Sequence, residues 1–204
     1  MATVNLHPSS TVSNDWTISG GSGTVHENLA DSSDTSLIRT QDQDDYAIVE
    51  LDDLDYSGLN IGSIDSVRFY VRGVLYNARS GNTDIQVRMQ NSSAVTLWNE
   101  TITLNFTGGY APEDHYGTAR TTDASLGGDE WKDGDLDGLR LNINTSPEDP
   151  AGSSYAQVSK AYIEVTYTEA VTDNAVFFGC NFWDLYMTII INIFKSIILR
   201  EKEK

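Results

Sequence analysis

The chain has 204 residues, 30 acidic and 13 basic side chains and a formal net charge of −17. A surface this negative repels nucleic-acid phosphate, which excludes DNA and RNA binding as function classes. The one cysteine is Cys180, so everything before it lacks an internal disulfide, a thiolate zinc site and a thiol nucleophile.

In chain order, Met1-Ala-Thr-Val-Asn-Leu-His-Pro8 has no basic n-region and no apolar h-region, and is not expected to be a secretory signal. Faint strand signals follow at Trp16–Ile18, Thr35–Arg39 and Tyr46–Leu51. From Val67 the period of two is clear. Val67, Phe69 and Val71 alternate with Arg68, Tyr70 and Arg72, which predicts a strand with one buried and one wet face. Ile85–Gln90, Thr101–Phe106, Leu139–Ile143 and Lys160–Tyr167 alternate in the same way. Gly and Asp clusters separate these runs: Ser80-Gly-Asn82, Gly108-Gly109, Gly127-Gly-Asp129, Asp133-Gly134 and Pro147-Glu-Asp-Pro150. No segment before Glu169 shows a sustained helical period. Short strands joined by turns, without crossover helices, predict an all-β antiparallel β-sandwich, jelly-roll-like, over residues 1–169.

Residues 170–204 are a different kind of sequence. They carry four charges of each sign, so the net charge resides in residues 1–169. From Ala175 to Leu199 the tail is nearly continuously apolar and long enough to cross a bilayer as a helix. Asn181, Asp184, Asn192 and Lys195 are costly there. Three readings stay open: a membrane or virion anchor, an oligomerisation segment, or a run-on gene end.

Catalytic motifs are missing. His7, His26 and His115 are far apart and form no His-x-x-x-His pair, and no Gly-x-Ser-x-Gly elbow or P-loop occurs. The expectation is a protein that binds or builds and is not an enzyme, with no cofactor required. One metal candidate exists. Asp133, Asp135 and Asp137 alternate in Asp-Gly-Asp-Leu-Asp-Gly138, as in the first half of a calcium loop. The twelfth position is Asn144 where an EF-hand needs a bidentate Glu, so the choice lies between a non-EF calcium loop and an acidic hairpin turn. A second candidate is aromatic. Tyr110, Tyr116, Trp131 and Tyr155, with Tyr70 and Tyr76, are expected on wet faces or in loops, where rings stack on sugars. The plain alternative is cross-strand packing. Trp16 and Trp98 are expected in the core.

The order of features from Thr11 to Glu169 resembles a loose class of β-sandwich virion proteins of tailed bacteriophages and related viruses. The resemblance is carried by Trp16-Thr-Ile-Ser-Gly-Gly21, Leu29-Ala-Asp-Ser-Ser-Asp-Thr35, Ile64–Arg72, Glu130–Ile143 and Gln157–Tyr167. It implies a capsid-decorating or tail-appendage protein at the virion surface, contacting other virion proteins as a homo-oligomer, with a trimer as one form. The alternative is a host-recognition module that binds glycan. The tail beyond Glu169 departs from the class.

Overall fold

A computed structural model describes residues 1–170, apart from 22, 32, 43, 55–58, 77–80, 108–110, 124–127, 133 and 146–153. The chain divides after Ala170. Residues 171–204, with Cys180 and every expectation for the tail, lie outside the described residues.

Thirteen strands are described: β1 (Ala2–Leu6), β2 (Pro8–Asn14), β3 (Thr17–Ser19), β4 (Leu37–Thr40), β5 (Tyr46–Leu51), β6 (Ile61–Tyr76) and β7 (Asn82–Gln90), then β8 (Thr96–Asn105), β9 (Glu113–Tyr116), β10 (Thr122–Asp123), β11 (Asp129–Glu130), β12 (Arg140–Thr145) and β13 (Tyr155–Glu169). All pairings among them are antiparallel. One sheet runs β3-β4-β13-β6-β9, with β1 also on β13, and the other runs β2-β5-β12-β7-β8. The chain crosses between the sheets at β1–β2, β2–β3, β4–β5, β5–β6 and β6–β7, stays for the β7–β8 hairpin, then crosses again at β8–β9, between β9 and β12, and at β12–β13. The orders β4-β13-β6-β9 and β5-β12-β7-β8 are those of the two four-stranded sheets of a jelly-roll sandwich, with the chain passing between them. The expected fold class is what the structure shows.

The core lies between the sheets. Val67, Phe69, Val71, Ile163 and Val165 of the first sheet meet Val49, Ile85, Val87, Leu104, Leu141 and Ile143 of the second, all fully buried. Each such side chain stabilises the fold by roughly 1.5–3 kcal/mol. Phe69 stacks on Trp98 across the sandwich, centroids 4.1 Å apart. Trp16 and Trp98 are buried, as expected.

A helix, α1 (Val25–Ala30), corrects the expectation of a helix-free body. It is too short to show a period, but its start is written in Thr24-Val-His-Glu27. The backbone N–H of Thr24 donates to Glu27 Oε2 at 2.6 Å, one arm of a capping box. Val25 and Leu29 enter the core. Strands β1, β2, β9, β10 and β11 also escape the sequence reading. They are short, mostly polar or on sheet edges, so burial leaves little period in them.

Candidate functional site

Strands β13, β6 and β9 lie side by side, and their register fixes the outer face of the first sheet. Tyr162 pairs with Tyr70, and Tyr70 with Tyr116. In the next row Lys160 pairs with Arg72, and Arg72 with Asp114; in the row on the other side Glu164 pairs with Arg68. A bulge between Val158 and Lys160 shifts the register of β13 against β6 next to these rows.

The tyrosine row is packed. Tyr70 and Tyr162 stack at 4.3 Å with planes 16° apart, and Tyr116 meets Tyr70 edge-on at 5.2 Å. The Arg68 guanidinium lies 4.4 Å from the Tyr116 centroid and is held by Glu164 at 2.5 Å. Tyr70 and Tyr162 are therefore buried although they point away from the core, whereas Tyr116 is 52% exposed. Burial, reinforced by the Asp114 carboxylate, pushes the Tyr70 phenol well above its ordinary range, and burial raises Tyr162 likewise.

The charged row is a clamp. Arg72 donates to Asp34 through Nε (2.5 Å) and Nη2 (2.7 Å), a bidentate pair, and to Asp114 through Nη1 at 2.6 Å. The Tyr70 hydroxyl donates to the same Asp114 oxygen at 2.7 Å. Hydrogen bonds from Tyr70 and Arg72 hold the Asp114 carboxyl below its usual value, and the Arg72 bond does the same for Asp34. At the near end of the face, His7 packs against Tyr162 at 5.2 Å. Burial and then Lys160 lower the His7 pKa.

Beside Tyr116 the two sheets part. An open cleft of about 480 Å³ runs between β8 and β9, lined by Glu100, Thr101, Thr103, Asp114, Tyr116 and Thr118, among others. Glu100 Oε2 accepts from the backbone N–H of Thr118 at 2.9 Å. It lies so close to Gly117 that a Cβ there would sit 2.2 Å from it. The lining also holds His115, whose Nε2 is buried without a hydrogen-bond partner. The cleft thus offers carboxylates, hydroxyls and a fixed aromatic ring at its rim.

The expected aromatic residues do not all gather here. Tyr116 does. Tyr155 is half-buried at the start of β13, opposite Tyr76, under the Arg39 guanidinium. Tyr110 lies outside the described residues. Trp131 is corrected from wet face to core: it is 4% exposed, and its Nε1 donates to the Arg120 carbonyl at 3.0 Å. The acidic turn has a structural job of its own. Asp135 accepts from the Lys132 N–H at 2.7 Å, Leu136 is buried, and the Gly138 N–H donates to Asp53 at 2.8 Å. Asp133 lies outside the described residues, and among the described ones no three acidic, His or Cys side chains gather as a metal cluster. Sequence reasoning missed Glu100, Asp114, Arg72 and Asp34. The Glu113-Asp-His-Tyr116 run is acidic and non-alternating, and its place beside Tyr70 depends on a pairing 46 residues away.

No family model and no curated protein matches the chain. Among solved structures it is similar to the CBM32 of AlyQ in complex with 4,5-unsaturated mannuronic acid, at 14% identity over 78% of this chain and 98% of that one, TM-score 0.37. It is also similar to a CBM4, at 10% identity over 74% and 94%, TM-score 0.34. A third is an arabinose-bound MgGH51 α-L-arabinofuranosidase, at 8% identity over 76% of this chain and TM-score 0.40; the chain spans 22% of that enzyme's length.

Proposed function

We propose that this protein is a non-catalytic carbohydrate-binding module whose ligand lies in the cleft between β8 and β9, against the ring of Tyr116. The observation that carries this reading is the half-exposed Tyr116 ring, braced by Tyr70 and Arg68, at the rim of a cleft lined with carboxylates and hydroxyls. The apolar C–H face of a sugar ring packs on an aromatic face, and its hydroxyls donate to carboxylates and exchange bonds with threonines. Asp114 is held as an anion by Arg72 and Tyr70, so it serves as a hydrogen-bond acceptor and not as a general acid.

A glycan array followed by calorimetry tests this. Tyr116→Ala should weaken binding about tenfold or more, a loss of roughly 1.4 kcal/mol, with the protein still folded and its unfolding midpoint only modestly lowered by the lost contacts to Tyr70 and Arg68. Unaltered binding in that variant, or no glycan bound by the parent protein, would overturn the reading. The virion-structural role is a second reading, favoured by the jelly-roll strand order, an architecture that viral capsid and lectin domains share.

A further inference from the structure

The charges of the cleft point to one class of sugar, an inference that rests on the carbohydrate-binding reading above. The lining holds no Lys or Arg and two carboxylates, Glu100 and Asp114. Asp114 is already matched by Arg72 and by the Tyr70 hydroxyl. Glu100 is not: it accepts from the neutral Thr118 N–H and, among the described residues, forms no ion pair. It is also half-buried. A carboxylate without a counter-charge, open on one side to a cleft, is a ready partner for a ligand that brings a cation. A uronate or sulfated sugar would meet the two carboxylates in a molecule of net charge −17.

We infer that the cleft selects amino sugars, the free ammonium pairing with Glu100 while the ring lies on Tyr116. Gly117 makes this geometry possible, since any side chain there would displace the Glu100 carboxylate.

The test is calorimetry on the full-length chain with a glucosamine tetramer, its fully N-acetylated counterpart, a uronate tetramer and a lysine tetrapeptide. The glucosamine tetramer should bind at least about tenfold more tightly than the acetylated one, as expected for a hydrogen bond to a charged group. Added salt should narrow the gap. Glu100→Gln keeps an acceptor for the Thr118 N–H but removes the charge, so it should bind both tetramers alike. Equal binding of the two tetramers by the parent protein, or a preference that survives in Glu100→Gln, would overturn the selectivity and leave the carbohydrate-binding reading standing. A lysine tetrapeptide bound as tightly as the glucosamine tetramer would also overturn it, as plain charge attraction. Failure of every sugar to bind would overturn both.

Discussion

Asp114 accepts from two donors at once, Tyr70 and Arg72, and Arg72 reaches on to Asp34, so one guanidinium ties the loop before β4 to β6 and β9. Both carboxyls sit below their ordinary 3.8. As pH falls, the unfolded chain therefore takes up these protons first. The stabilisation is whole above about 3.8 and disappears as pH drops through the lowered values. Both carboxylates are nearly half exposed, so water screens the gain, and each pair contributes about 1 kcal/mol or less. Arg72→Met should lower the unfolding midpoint at neutral pH and flatten its acid decline. An unfolding series taken down through pH 4 checks both. The same scale explains Trp131. Its sequence neighbours are acidic and polar, which suggests a surface ring, but Leu136 and Leu139 pull the segment inward and the indole follows.

At the scale of elements, hairpins and turns hold the strands in register. The β7–β8 loop is closed by Asn91, whose Oδ1 accepts from Ser93 and Val95 at 3.0 Å each, while the Ala94 N–H donates to the Asn91 carbonyl. Ala94 carries φ of 63°, a left-handed conformation that costs an L-residue about 1–2 kcal/mol. Ala94→Gly relieves that strain and gives back about 0.5–1 kcal/mol of unfolded-chain entropy. The net expectation is a stabilisation of about 0.5–1 kcal/mol in a urea melt. Gly73, by contrast, is placed by packing. A Cβ there would lie 2.8 Å from the Gln157 carbonyl of the neighbouring strand β13 and 2.9 Å from the core side chain of Leu104. Of the elements, the five strongly alternating runs are legible because one face of each is buried. The six-residue helix and the edge strands are not, because capping and pairing hold them and leave no period behind.

At the scale of the molecule, β13 organises the first sheet. It pairs with β6 along its length, and with β4 and β1 on its other side. Its partners are distant in sequence, with Ala156 opposite Thr40 and Val165 opposite Val4, a non-local topology that is expected to fold slowly. The virion-structural reading is a claim at this scale. It expects the full-length protein to sediment as a homo-oligomer, and a monodisperse monomer at micromolar concentration would sink it. A surface of this charge favours solubility and opposes tight self-association unless contacts elsewhere offset the repulsion.

Alternation, turn residues and their spacing were enough to determine an antiparallel β-sandwich and its core-facing residues from Val67 to Val71 and Ala161 to Val165, because period and composition are local properties of a chain. Which strand lies beside which was decided only in three dimensions, since antiparallel neighbours carry no mark of each other in sequence. The row Tyr162–Tyr70–Tyr116, the Asp34–Arg72–Asp114 clamp and the cleft that brings Glu100 to Tyr116 all arise from that pairing.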